Sequence, residues 1–469
     1  MGNTSVVDMI KSGERSRLIP VVADMSKEER AVSPLLAVFS VVPVFANSML
    51  EEVGGPTNQR ARIKCFSQVV FKDGPSDRKL RPDGLIIVDS GRKIWSALVE
   101  AKVGNAELSA KQIEDYLDIA KHLGINAVIT ISNQFAPNPT HHPVSVNKQK
   151  LRSVELYHFS WLALLTKATL IGQSKQVDDP EQAFLLRELI RFLNHPSSGI
   201  CEMSRMSSSW KDVCMKVQTG TPIAKSDPAA LAAVADWHQL SRFLALDLSV
   251  AVGRPVSVWM PKSQLADPTL RRDSDVASLS TTHTLETELS VPGVASRITV
   301  QADLLRRSVR FSTNINTPQD KARPTASITW LTRQLPLLKE STDTLLRAHW
   351  PRRTPDTVAT IANAVRDPKT VVPDDRKELP TSVDVQRVVD LAVRFKGAAT
   401  FVEDIKQELP KYYRDVVQNV TNWVAKAPKL AERPELSPEN DVVEVIQEVE
   451  AVREASSSDS TGTQVPTLE

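Results

Sequence analysis

Along the first 165 residues, apolar positions switch between two spacings, one of period two and one of period three to four. Residues 32–53 carry an apolar run read as a helix, with Pro34 in its first turn behind Ser33 as N-cap and Gly54-Gly55 as its stop. Residues 62–71 read as a strand, and the DGPSD that follows as a loop. Two short apolar runs, 84–88 and 94–103, flank Asp89-Ser90-Gly91-Arg92, which predicts a hairpin. Over 107–123, Leu108, Tyr116, Leu117, Ala120 and Leu123 recur at helical spacing, closed by Gly124. Residues 127–131 and 154–159 give further strands, the second running into a helix from Trp161. Strands alternating with helices in this way predict an α/β sheet.

Beyond this region the pattern changes. Residues 183–193 form an amphipathic helix, and His195-Pro-Ser-Ser-Gly199 marks a domain edge near residue 200. Residues 205–350 follow as an α+β domain with a helix at 231–246, a strand at 256–260 and a strand pair within 298–314. Proline and charge mark 351–380 as a linker, and 381–430 as C-terminal helices with a break at Pro410. Residues 431–469 are acidic and serine-rich, so disorder is expected, with one short amphipathic helix at 441–454.

Composition narrows the class. A chain of 469 residues exceeds one ordinary domain, and 41% hydrophobic with 24% charged residues is a globular balance. The apolar run 32–50 approaches membrane-spanning length, but Pro34 and Pro43 interrupt it, so it reads as buried helix and no membrane partner is expected. The first residues lack a secretory pattern, and Val6 stands where a myristoylation signal needs Ser or Thr. Cys65, Cys201 and Cys214 form no CxxC pair, which excludes a zinc knuckle and fits a reducing cytoplasm. From Arg433 onward nine acids face two arginines, a net of −7; with +2 overall, residues 1–432 carry +9. Such a body permits contact with phosphate without demanding it. No Walker loop, dinucleotide fingerprint or serine elbow is present.

The segment RPDGLIIVDSGRKIWSALVEAKVG carries the chemistry. Hairpin residues face one another when equally far from the turn, and positions 83 and 100 are centred between Gly91 and Arg92. Asp83 and Glu100 are therefore expected as cross-strand partners, with Cβ atoms roughly 4.5–5.5 Å apart, close enough to share a divalent cation. Strand alternation puts Lys102 on the same face as Glu100. Two carboxylates among apolar strands repel unless a cation compensates, and an ammonium beside them can orient water. Together these point to phosphodiester hydrolysis.

This arrangement resembles the PD-(D/E)xK nuclease superfamily, matched by Pro82-Asp83 and Glu100-Ala101-Lys102 over roughly residues 30–165. The resemblance implies a restriction-endonuclease-like central mixed sheet flanked by helices. It implies that Asp83, Glu100 and the Ala101 carbonyl hold Mg²⁺ or Mn²⁺, and that Lys102 positions the nucleophilic water. A helix before the core donates a further acid in that family, which makes Glu51 or Glu52 the candidate fourth ligand. Gln112 and Tyr116, one helical turn apart, resemble the QxxxY motif of its exonuclease branch, while Ser109-x-x-Gln112 also reads as a capping box.

The expected function is DNA hydrolysis in restriction, repair or defence against foreign DNA. The alternatives are a catalytically inactive nuclease fold that binds nucleic acid, and an assembly scaffold that recruits a protein partner through its C-terminal helices and acidic tail; a homo-oligomer is compatible with each. His141-His142 lacks a third ligand at useful spacing and is not expected to bind metal. Arg271-Arg272, Arg306-Arg307 with Arg310, and Arg352-Arg353 read as solvated surface rather than phosphate contacts, and Trp237, Trp259 and Trp330 as core anchors.

Overall fold

Near-continuous apolar strands are needed only where a sheet is covered on both faces, and the first 200 residues meet that condition. The computed structural model describes residues 6–19, 27–58, 61–72, 81–136, 138–174, 176–352 and 354–424. The DGPSD loop, Arg353 and the tail segment 431–469 lie outside them. Residues 1–423 cluster as one compact unit.

Its first part contains β1 (Ile10–Arg15), α1 (Lys27–Val41), α2 (Pro43–Leu50), β2 (Arg62–Phe71), β3 (Gly84–Asp89), β4 (Ile94–Ala101), α3 (Ala110–Leu123), β5 (Ala127–Ser132), β6 (Glu155–Ser160), α4 (Trp161–Gln173) and α5 (Pro180–Asn194). The strands form a mixed sheet in chain order, β1-β2-β3-β4-β5-β6, antiparallel up to β4 and parallel from β4 to β6. Ile86, Val88, Ala97, Val99, Ile129 and Phe159 face α1, α2, α4 and α5, while Leu85, Ile87, Leu98, Val128 and Leu156 face α3. At Gly84 an added Cβ would stand 2.5 Å from Leu36 Cδ1 and 3.2 Å from Val99 Cβ, so glycine lets α1 approach the hairpin closely.

The helix read at 32–53 differs from the observed one. It starts at Lys27, carries Pro34 inside it, and bends by 105° where Val42 and Pro43 break it. Ser33 is no N-cap; its hydroxyl instead exchanges hydrogen bonds with the Arg17 backbone. Gly54 does close the segment, in the left-handed region at φ 65°. Among the described residues no single helix is long and apolar enough to cross a membrane, and the bent pair is packed into the core.

The second part contains α6 (Ser208–Gln218), α7 (Pro228–Val252), β7 (Ser257–Trp259), α8 (Lys262–Ala266), α9 (Pro268–Thr281), β8 (Thr284–Ser290), β9 (Ile298–Asp303), β10 (Ser308–Asn316), α10 (Pro324–Arg333), β11 (Thr344–His349), β12 (Thr357–Thr360), α11 (Ile361–Arg366), β13 (Ser382–Asp390) and α12 (Ala398–Tyr412). Its antiparallel sheet runs β12-β11-β13-β10-β9-β8-β7 and packs one face on a core with α7 and α12, in which Trp237, Phe311, Val385 and Phe401 are buried. Three expectations are corrected. The stretch 351–380 is no bare linker, because β12 and α11 lie in it, and 382–390 is a strand rather than helix. In β13 the pattern S-V-D-V-Q has period two, with Val383 and Val385 buried, and this alternation outweighs helical propensity. Pro410 does not break α12; the helix continues to Tyr412 and passes into a π turn at Tyr413–Val417.

Candidate active site

The β3–β4 ladder pairs Gly84 with Val99 and every following residue in step to Asp89 with Ile94, so continuing it by one residue sets Asp83 opposite Glu100. That is the register expected from the turn. The Ala101 amide donates to Asp83 Oδ2 at 2.8 Å, which ties the two strands together beyond the last paired residues. Gln68 holds Asp83 from the other side: its backbone N–H donates to the Asp83 carbonyl at 3.1 Å and its Nε2 to Oδ1 at 3.3 Å. Gln68 has φ 52°, an uncommon conformation for a side-chain-bearing residue and one that concentrates at functional sites.

Glu100 is only 2% exposed. Its Oε1 accepts from Lys102 Nζ at 2.5 Å and from Gln112 Nε2 at 2.8 Å. Gln112 Nε2 also donates to the Tyr116 hydroxyl at 3.3 Å, and Tyr116 is buried against the same carboxylate. All five residues singled out from sequence, Asp83, Glu100, Lys102, Gln112 and Tyr116, thus meet in one cluster on the α3 side of the sheet. Ser109 makes no side-chain capping bond, so the alternative reading of Gln112 as part of a capping box gains nothing. The backbone of Lys102 is clamped as well: its N–H donates to the Ile131 carbonyl at 2.8 Å, and Trp161 Nε1 donates to its carbonyl at 2.9 Å.

Electrostatics mark this cluster as costly. Burial first, and the facing Glu100 second, push Asp83 up to about 7. Burial also raises Glu100 above the usual carboxylate range, with the Lys102 ammonium pulling the other way. Burial disfavours the charge on Lys102, but Glu100 and Asp83 outweigh it and raise its pKa. Burial and the Glu100 charge drive the Tyr116 phenol upward. Two oxygen acids that resist ionisation in each other's presence suit a hard divalent cation, whose charge relieves both penalties. Among the described residues no three His, Cys, Asp or Glu side chains are gathered as a metal shell, so a cation here would rest on Asp83, Glu100, the Ala101 carbonyl and water.

Glu52 is not part of the site. Its carboxylate pairs with Lys167 Nζ at 2.5 Å, because the bend after α1 carries α2 and the following turn away from β3. The acid on the preceding helix that does act on the cluster is Glu28, in the first turn of α1: its charge bears on Asp83, Glu100 and Lys102 alike. The apolar run from 32 does not reveal Glu28, because the helix begins five residues before it, at Lys27. The signal was Lys27-Glu-Glu-Arg30, an acid-bearing first turn before an apolar run. Val103 and Gly104, immediately after Lys102, line a cavity of about 390 Å³ together with Lys27 and Arg30 of the same first turn, Asn105 and Ser198.

Beside Glu100 the parallel ladders set Thr130 and then His158. His142 Nδ1 lies 3.0 Å from both the N–H and the carbonyl of Val144, and its Nε2 lies 2.8 Å from Thr130 Oγ1. Thr130 Oγ1 lies 2.9 Å from His158 Nδ1, and His158 Nε2 is 2.9 Å from the Gln134 carbonyl. The Gln134 carbonyl can only accept, so His158 Nε2 donates to it, and in the neutral ring Nδ1 is left as the acceptor towards Thr130. Burial lowers His142 to about 4 and His158 to about 3, which agrees. His141 instead bonds the Leu265 carbonyl at 2.7 Å. Of the three tryptophans read as core anchors, Trp237 is buried and Trp330 partly so, whereas Trp259 is 40% exposed under the Arg297 guanidinium, 3.9 Å from its ring centre. Arg271 is buried, not solvated, and lies 3.7 Å from Asp275. Compared with known proteins, the chain finds no match among family models, curated proteins or solved structures.

Proposed function

We propose that the chain is a Mg²⁺- or Mn²⁺-dependent nuclease of the PD-(D/E)xK kind that hydrolyses DNA phosphodiester bonds. The observation that carries this reading is the convergence of Asp83, Glu100 and Lys102 in one cluster, bonded to Gln112 and Tyr116. The order of elements supports it too: helix, three antiparallel strands, helix and a parallel strand agree with the core that the resemblance implies. A divalent cation bound at this pair supplies polarisation of a phosphate oxygen and a lower pKa for an attendant water. Asp83 and Glu100 hold it, and Glu28 adds negative charge from the third side. The Lys102 ammonium orients the attacking water and steadies charge that develops on the phosphate. Gln112 fixes the Glu100 carboxylate, and Lys27 and Arg30 offer positive charge to the backbone of the substrate at the adjoining cavity. A cytoplasmic setting belongs to this proposal, and three free thiols support it.

One observation favours a second reading, a nuclease-type fold kept for binding alone: Glu100 is closed off by Lys102 and Gln112 and is nearly inaccessible. The separating experiment incubates linear and circular DNA with purified protein and Mg²⁺ or Mn²⁺, alongside Asp83→Ala and Lys102→Ala. Catalysis predicts cleavage that falls at least about 1,000-fold in each variant, on the order of 4 kcal/mol in the barrier. Binding without cleavage under every condition would favour the second reading.

A further inference from the structure

The second part of the chain holds a cavity of about 790 Å³ with no role in the site described above. One wall is a face of α10, where Ala326, Thr329, Trp330 and Arg333 recur at helical spacing; Lys321 and Arg323 precede the helix, and Pro368 and Lys369 form the opposite side. The volume lies within the range of small-ligand sites, roughly 300–1,000 Å³, and far exceeds the need of a single inorganic anion.

The chemistry of this lining is one-sided. Four cations, Lys321, Arg323, Arg333 and Lys369, surround it against one acid, Asp367. Asp367 is occupied locally, its Oδ1 accepting the Lys369 backbone N–H at 3.0 Å. Lys369 Nζ pairs with Asp374 at 2.8 Å and Lys321 lies 3.7 Å from Asp320, both neighbours in sequence. Arg323 and Arg333 have no ion pair or side-chain hydrogen bond among the described residues and are exposed. Like charges gathered without counterions cost free energy that an anion recovers. At the N-terminus of α10 Pro324 has no N–H and the Ala326 N–H donates to the Arg323 carbonyl at 3.0 Å, so the uncapped Thr325 N–H is the donor this end adds. Gln334, also in the wall, gives its Oε1 to Thr421 and leaves its Nε2 without an acceptor among the described residues. Trp330, half-buried between these cations, supplies the flat apolar surface that an anion alone does not need.

We infer that this cavity binds a nucleoside phosphate, its base against Trp330 and its phosphate held by Arg323 and the start of α10, with Arg333 adding positive charge on the far side of the ring, about 15 Å along the helix from Arg323. Base stacking on an aromatic ring contributes about 1–3 kcal/mol and tolerates any base, and arginines grip phosphate bidentately. The group can come from a free nucleotide or from a single strand threaded through the cavity. The inference does not rest on the nuclease proposal, since no residue is shared.

The test uses the full chain in EDTA, which prevents cleavage, with fluorescein-labelled single-stranded dT12 followed by anisotropy and ATP followed by calorimetry. Comparison is with Arg323→Ala/Arg333→Ala, with Lys369→Ala on a separate element, and with Arg187→Ala/Arg272→Ala, which removes equal charge from exposed positions elsewhere. The expected result is dT12 or ATP affinity at least tenfold weaker in Arg323→Ala/Arg333→Ala, at least threefold weaker in Lys369→Ala, and within twofold of the parent in the charge control. Loss for dT12 identifies a strand, and loss for ATP alone a free nucleotide. Affinities for both probes within twofold of the parent in the pocket variants, equal loss in the charge control, or no binding of either probe would overturn the inference.

Discussion

The two sheets handle charge in opposite ways. In the first, covered by helices on both faces, Asp83, Glu100, Lys102, Thr130 and His158 are set among apolar strands. In the second, charge is kept mostly to one side: Arg310, Arg347, His349, Asp384 and Glu286 line a groove of about 240 Å³, while the opposite face is apolar apart from Arg387, buried beside Phe311 and paired with Asp415 at 3.0 Å. There His349 bridges Asp356 and Asp384 at 3.0 and 2.9 Å, and Asn314 bonds Asp384 at 2.6 Å. Charges beside water are screened and cost little, whereas buried ones persist only with partners. An ionisable cluster kept inside the better-covered sheet is therefore where function is to be sought, and the groove is the ordinary solvated side of an antiparallel sheet.

The largest expected effect tests the apolar side of this contrast. Trp237→Ala empties a fully buried position in the second core and should cost about 3–5 kcal/mol in denaturant unfolding, while leaving metal-dependent activity of the folded fraction intact. A loss under 1 kcal/mol would mean that this core is not packed as described.

Next comes the histidine row. His158 has a folded pKa of about 3 against an ordinary value of 6.5, so below 6.5 the unfolded state takes up a proton that the fold refuses. Stability from this group is complete above pH 6.5 and falls as pH drops towards 3. Between pH 7 and pH 5 this amounts to on the order of 2 kcal/mol. His158→Gln should lower stability at pH 7 yet flatten its decline with acid, as read by thermal melts across that window. An unchanged slope would show that His158 is not the neutral member of the chain.

Asp83 has the opposite sign. Its folded pKa of about 7 exceeds the ordinary 3.8, so its protonated form suits the fold and metal-free stability declines as pH rises from about 4 through 7. Asp83→Asn should raise the metal-free Tm at pH 8 by about 2 °C and abolish any gain from added Mg²⁺. At subsaturating Mg²⁺ the activity of the parent should climb through pH 7, because the cation binds Asp83 in its ionised form. The smallest effect belongs to the open groove, where Arg310→Ala should change stability by no more than about 0.5 kcal/mol.

Much of the first sheet was legible because its signals are local. Turn-centred symmetry set Asp83 against Glu100, alternation placed Lys102 with them, and a single helical turn joined Gln112 to Tyr116. The third acid, Glu28, was not legible, since it depends on where α1 starts and how sharply the chain bends at Val42-Pro43. Pro34, tolerated inside the helix, reads locally as a first-turn residue and so conceals that start, while Glu52 at the far end pairs with Lys167. Gln68 was invisible too, because its grip on Asp83 arises from a positive φ that no residue type announces. In the second part the pairing of β13 between β10 and β11 joins residues some 70 positions apart, as in Asn314 with Asp384, and nothing local specifies such a partner. Its valine alternation was the available sign.

The most direct test of the central claim is single-turnover cleavage of DNA by the parent, Lys102→Ala and Glu28→Gln in Mg²⁺ at pH 8, with folding checked by thermal melts. Rates at least about 1,000-fold lower for Lys102→Ala and about tenfold lower for Glu28→Gln are the predicted result. Cleavage by a well-folded Lys102→Ala at the parental rate would contradict the account.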